Sequence, residues 1–214
     1  HTNTDINEPG VTVSEEILHE LLEELLENLT AKDIVVISGS MPKGSPQDTY
    51  YTWTKACREK GAKVILDADG DLLKAGLMAS PYLIKPNNHE LSALVGRTLT
   101  TPEELAKTAR ELMEQYGISK IVVSMGGDGA LYVTGSEILY AEGLKVPVGS
   151  TVGAGDSVVA ALAVAEEAGM SLSDTVCLST ATGAANVMCS GTQAAEYSVI
   201  QELLPKVVFH QIEI

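Results

Sequence analysis

The chain has 214 residues, 45% of them hydrophobic and 20% charged, with a formal net charge of −15. That balance describes a folded chain with a single domain over residues 1–214 and excludes a disordered one. So acidic a surface excludes nucleic acid and an anionic membrane as partners.

No apolar run reaches the roughly 18 residues a spanning helix needs, and no secretory leader is visible. Cys57, Cys177 and Cys189 form no CxxC pair, which suits thiols in a reducing cytoplasm. The four histidines are scattered along the chain, so no metal site built on histidine is expected. The first residue is His1 rather than Met, which predicts a piece of a longer gene product.

In chain order, VSEEILHELLEELLENL (13–29) has helical period. It places Ile17, Leu18, Leu21, Leu22, Leu25, Leu26 and Leu29 on one face, with Ser14 as N-cap. DIVVISGS (33–40) is a short continuous apolar run, the pattern of a strand buried on both faces. A helix at 47–60 ends at Lys60-Gly61, and KVILDAD (63–69) is the next strand. A short helix at 70–78 and the strand-like YLIKPN (82–87) follow, then a helix at 88–95. TPEELAKTARELMEQYG (101–117) carries Thr101 as N-cap, Pro102 in the first turn, Glu104 at the capping-box position and Gly117 as terminator. KIVVSMG (120–126) is a strand, and ALYVT and EILYAE form a hairpin around Gly135-Ser136. Helices at 154–168 and 173–189, then a short helix and a strand, complete the chain. Alternating buried strands and helices predict an α/β fold of three layers, α/β/α, around a mostly parallel sheet. Ligands in such sheets bind beyond the carboxyl ends of the strands.

Four stretches fall at such ends. Gly153-Ala154-Gly155-Asp156 runs into a helix. Glycines let backbone N–H groups approach an anion at a helix N-terminus. Asp156 there either stabilises the helix start or serves as general base toward a substrate hydroxyl. Ser124-Met125-Gly126-Gly127-Asp128-Gly129 follows a strand. It is either a plain turn or a loop that admits a nucleotide, and it is neither a GxGxxG before a helix nor a Walker loop. In Lys85-Pro86-Asn87-Asn88-His89-Glu90, Asn87 and Glu90 share a helix face. They either close a capping box or hold Mg²⁺ through water. Ser38-Gly39-Ser40-Met41-Pro42-Lys43-Gly44 offers hydroxyls, mobile backbone and one cation, suited to a substrate phosphate or simply to solvent.

Together and in this order, VGSTVGAGDSVVAALA, IVVSMGGDGALYV and IKPNNHEL resemble the signatures of the PfkB or ribokinase family of carbohydrate kinases. TDINEPG, VISGSMPKG, KVILDADGD and ELLP resemble the branch acting on sugar phosphates. The resemblance implies a ribokinase-like fold and ATP-dependent phosphorylation of a sugar phosphate, fructose 1-phosphate to fructose 1,6-bisphosphate, with tagatose 6-phosphate the alternative acceptor. A fragment of such a kinase could instead be a non-catalytic nucleotide-binding module. By the same resemblance Asp156 is the base, and Gly153, Ala154 and Gly155 form the anion hole. Ser124, Gly126, Gly127, Asp128 and Gly129 hold ATP, with Lys85 and Asn87 near its phosphates. Asn87 and Glu90 influence Mg²⁺, Ser150 and Val152 match K⁺-binding positions, and Ser38, Ser40 and Lys43 face the sugar phosphate.

The family also implies leading strands and a β lid upstream, a homodimer when full length, and a cytoplasmic location. The chain is thus expected to be the C-terminal two-thirds of its protein. Alone it should bind nucleotide poorly and turn over slowly or not at all.

Overall fold

A computed structural model describes residues 10–214. His1 and all of TDINEPG except Gly10 lie outside the described residues. Helix α1 (Glu15–Asn28) begins as its cap predicts, with Ser14 Oγ accepting from the Ile17 N–H at 3.4 Å. Its apolar face is only partly used. Leu18 and Leu22 are buried, Leu25 and Leu26 pack on the core, and Ile17 and Leu21 are exposed.

Strand β1 (Ile34–Ser38) leads through α2 (Thr49–Glu59) to β2 (Lys63–Asp67). Helix α3 (Gly70–Leu77) connects β2 to the two-residue β3 (Leu83–Ile84). Helices α4 (Asn88–Val95) and α5 (Pro102–Tyr116) precede β4 (Lys120–Ser124). Both helices start on the capping boxes that their sequences carry: Asn87 with Glu90, and Thr101 with Glu104. Both end on a glycine in the left-handed region, Gly96 and Gly117.

After β4, a 3₁₀ turn at Gly126–Asp128 reverses the chain into β5 (Gly129–Thr134) and β6 (Ile138–Glu142). Then come α6 (Ala154–Glu167), α7 (Leu172–Val187), α8 (Tyr197–Leu203) and β7 (Phe209–Gln211).

The seven strands form one sheet in sequence order. β1 to β4 pair parallel, and β4 to β7 pair antiparallel. The expectation of a mostly parallel sheet therefore describes its first four strands, and the whole sheet is mixed. The connections after β4 and β5 are tight turns, too short for the crossover that a parallel return requires.

The sheet is covered on both faces, and the strands sort their residues with period two. Val64, Leu66, Ile84, Ile121, Val123, Leu131 and Val133 join the core that includes residues of α2 to α5. Ile65, Leu83, Val122, Tyr132 and Leu139 face the other way, against Val159 and Leu162 of α6 and Val176 of α7.

β1 departs from its expected burial. Ile37 is buried, but Val36 is 41% exposed. Among the described residues β1 has a strand neighbour on one side only, so an apolar run that reads as central lies at the edge of the described sheet. No helix among the described residues is long and apolar enough to cross a membrane.

Candidate active site

The parallel strands end together at one rim of the sheet, and the predicted residues are carried on the segments that leave it. β2 ends at Asp67, and Lys85 follows directly after β3. Lys85 is buried, and its Nζ pairs with Asp67 Oδ1 at 3.1 Å. Burial pushes the Asp67 carboxyl above the ordinary aspartate value. Lys85 opposes that shift, and the negative charges of Asp156 and Asp69 add to it. A Cβ on Gly155 would lie 3.6 Å from Lys85 Nζ, so this cation sits against the first turn of α6. The family resemblance places Lys85 near phosphates, and sequence reasoning finds it only in that way. It misses Asp67, whose only local signal is an aspartate at the end of an apolar strand.

The glycine turn is built as its composition suggests. Gly153 adopts φ +78°, in the left-handed region that glycine enters freely. Ser157 N–H bonds back to the Gly153 carbonyl at 2.9 Å, within the first turn of α6. The amides of Gly155 and Asp156 precede that bond, at the positive end of the helix. Asp156 is exposed at this rim, open to a substrate. The structure thus brings Gly153, Ala154, Gly155 and Asp156 together with Lys85 and Asp67, combining a carboxylate, a buried cation and helix-start amides. Such a set can hold an anion and accept a proton beside it.

Around this turn, Gly149 and Ser150 donate to the Val187 carbonyl at 2.7 and 3.2 Å. Val152 N–H donates to Ser150 Oγ at 3.2 Å. Asn186 is buried on α7. Its Nδ2 donates to the Gln193 carbonyl, while its Oδ1 has no partner among the described residues. That oxygen lies 3.9 Å from where a Cβ on Gly153 would stand.

In the candidate nucleotide loop the glycines divide into two kinds. Gly126 and Gly127 have open space where a side chain would go, as close approach of a ligand needs. Gly129 instead has φ +113°, and a Cβ there would overlap the Ala141 carbonyl oxygen. Its glycine is required by the β5–β6 pairing. The Asp128 carbonyl accepts from Tyr140 Oη at 2.7 Å, and the Gly127 carbonyl from Lys145 Nζ at 3.3 Å.

For Asn87 and Glu90 the geometry is the capping box. Asn87 Oδ1 accepts from the N–H groups of His89 and Glu90 at 2.9 and 2.8 Å, and Glu90 Oε2 accepts from Asn87 N–H at 2.8 Å. Glu90 also lines, with Asp69, Lys74 and His89, a groove of about 320 Å³ between the starts of α3 and α4. Among the described residues, no group of three or more His, Cys, Asp or Glu side chains is arranged to hold a metal ion. Ser38, the last residue of β1, and Ser40 and Lys43 beyond it stand exposed at the same rim, with Ser38 in register with Asp67 of β2.

Residues 2–198 match the model of the pfkB family carbohydrate kinases. The chain is 36% identical over 211 residues to the 1-phosphofructokinase of Haemophilus influenzae, covering 98% of this chain and 67% of that protein. It is 37% identical to the 1-phosphofructokinase of Bacillus subtilis, covering 95% and 66%. Phosphofructokinase-2 from Escherichia coli, solved in complex with potassium, superposes with a TM-score of 0.88 at 34% identity, covering 94% of this chain and 65% of that one. The same enzyme has been solved with fructose-6-phosphate and as a tetrameric inhibited form. The chain spans about two thirds of the length of these relatives. With the family model matching nearly its whole length and its glycine turn, buried lysine and aspartates meeting at one rim of the sheet, this chain belongs to the pfkB family of carbohydrate kinases.

Proposed function

We infer that the protein transfers the γ-phosphoryl group of ATP to a hydroxyl of a sugar phosphate, with fructose 1-phosphate as acceptor and fructose 1,6-bisphosphate and ADP as products. The observation that carries this reading is the rim where Asp156, the amides of Gly155 and Asp156, and buried Lys85 converge. Asp156 takes the acceptor hydroxyl's proton as its oxygen bonds to the γ-phosphorus and the bond to ADP breaks. The Gly153-Ala154-Gly155 turn forms the anion hole through the helix-start amides of Gly155 and Asp156, which with Lys85 behind them stabilise the charge on the transferring group. Asp67 pairs with Lys85 and holds its ammonium against that turn. Gly126 and Gly127, with Ser124, Asp128 and Gly129, line the approach of the nucleotide; Ser38, Ser40 and Lys43 face the acceptor.

Mg²⁺ would supply charge neutralisation on the phosphates. Glu90 fits a water-bridged ion, since it borders an open groove with Asp69 nearby. Asn87 fits less well as a direct ligand, because its Oδ1 already serves two backbone amides. K⁺ at the Ser150 and Val152 carbonyls is supported by the orphaned, buried Asn186 Oδ1 at the neighbouring turn. A cytoplasmic location suits the free thiols of Cys57, Cys177 and Cys189. Self-association, which we assign as a homodimer, is supported only in general by a relative solved as a tetrameric inhibited form.

The test is ADP release from Mg-ATP by the full-length gene product, with fructose 1-phosphate, tagatose 6-phosphate and fructose 6-phosphate supplied in turn. Turnover on fructose 1-phosphate at the highest kcat/KM is expected. A preference for another acceptor would reassign the substrate. ATP-dependent thermal stabilisation without ADP release would mark a nucleotide-binding module.

A further inference from the structure

The substrate loop after β1 is exposed, yet one buried side chain outside it controls its backbone. Tyr50 lies in the first turn of α2 with 4% of its surface exposed. Its hydroxyl lies 3.1 Å from the Ser38 carbonyl and 2.9 Å from the Gly39 carbonyl, so a single proton is shared between two successive acceptors. From the opposite side Gly39 N–H donates to the Asp67 carbonyl at 3.2 Å. Gly39 has φ +88°, a conformation in which the chain turns sharply out of the strand. The turn is therefore held at two points. One belongs to the residue whose carboxylate pairs with Lys85 against Gly155. The contacts run from Tyr50 to Gly39, from Gly39 to Asp67, and from Asp67 through Lys85 to the glycine turn of α6.

We propose that Tyr50 is a positioning residue for the acceptor substrate: its hydroxyl fixes the direction in which the chain leaves β1, and so sets where Ser38, Ser40 and Lys43 meet the sugar phosphate. This rests on the kinase reading above. The phenol is suited to the task because it stays a donor. Burial, then the negative charges of Asp67 and Asp69, push its ionisation above the ordinary tyrosine value. Without that proton the two carbonyls lose their shared donor and turn toward water, carrying the loop with them.

Tyr50→Phe keeps the ring and removes only the hydroxyl. Steady-state kinetics with both substrates varied should show the KM for fructose 1-phosphate raised roughly three- to tenfold. The KM for ATP and kcat should stay within about twofold. Hydrogen exchange followed by mass spectrometry should show faster exchange over Gly39–Lys43, with β2 and α6 unchanged. A general loss of structure would instead move both KM values and exchange throughout the chain. An unchanged acceptor KM, equal rises in both KM values, or unaltered exchange in the loop would each overturn the proposal. Should the full-length wild-type protein, in which these kinetics are measured, release no ADP with any sugar phosphate, the kinase reading falls, and the substrate role of Tyr50 with it. The exchange readout then separates that outcome from a failure of Tyr50 to hold the turn.

Discussion

At the end of the sheet remote from the candidate site, Glu166 draws together three partners from distant parts of the chain. Its side chain is 5% exposed and accepts from Tyr82 Oη at 2.8 Å, from Lys63 Nζ at 3.2 Å and from Lys120 Nζ. Both lysines also lie over the Tyr82 ring, at 4.6 and 5.7 Å from its centroid. Burial alone would raise the Glu166 carboxyl. The hydrogen bonds from Lys120, Tyr82 and Lys63 and the charge of Lys120 outweigh it and hold the carboxyl below the ordinary glutamate value.

Glu166→Gln keeps the shape and removes the charge. Breaking a fully buried pair costs about 3–5 kcal/mol. Here Lys63 and Lys120 are 42% and 24% exposed, so each can swing its ammonium toward water. We therefore expect a loss of about 2 kcal/mol at neutral pH, and a Tm lower by about 4–8 °C.

The pH dependence has a definite sign. A carboxyl whose folded value lies below its unfolded value contributes stability above the unfolded value, and loses it as pH falls through the folded one. The gap between wild type and Glu166→Gln should thus be full at pH 7 and should close on acidification below the ordinary glutamate value of 4.5. Urea unfolding followed by circular dichroism across that range reads it directly. Equal midpoints at pH 7, or a gap that persists undiminished in acid, would refute the reasoning.

Asp156→Asn should cut ADP release by roughly 10²–10⁴-fold while circular dichroism and Tm stay close to wild type. Lys85→Met strands the Asp67 carboxylate in a buried place beside Asp156. It should cost about 3 kcal/mol by urea unfolding and also lower turnover, whereas pairing it with Asp67→Asn should recover much of the stability but not the activity. Gly129→Ala should destabilise or prevent folding, because its Cβ meets the Ala141 backbone. Gly127→Ala should fold normally and raise the KM for ATP if the loop receives nucleotide.

What the sequence alone determined about this protein was set by local, short-range chemistry. The capping boxes of α4 and α5 need only residues three apart, so Asn87, Glu90, Thr101 and Glu104 announce their helices before any tertiary contact exists. The Gly153–Asp156 turn is legible for the same reason, since a left-handed glycine and the free amides of a helix start are properties of a few consecutive residues. The tertiary structure decided whatever depends on partners far along the chain. The 33–40 run reads as a buried strand, and the order of the described strands is what identifies it as the edge strand with Val36 exposed. Ile17 and Leu21 share the apolar stripe of α1, yet the core reaches only part of that face. Gly129 looks like one more glycine of a ligand loop until Ala141 is seen packed against it. Glu166 meets Lys63 across 103 residues, and nothing in the run AVAEEAG distinguishes it from its exposed neighbour Glu167. Asp67, Lys85 and Tyr50 likewise become a connected group only when parallel strands end side by side. Burial then turns an ordinary carboxylate, amine and phenol into groups that must satisfy one another, which no reading of neighbouring residues can supply.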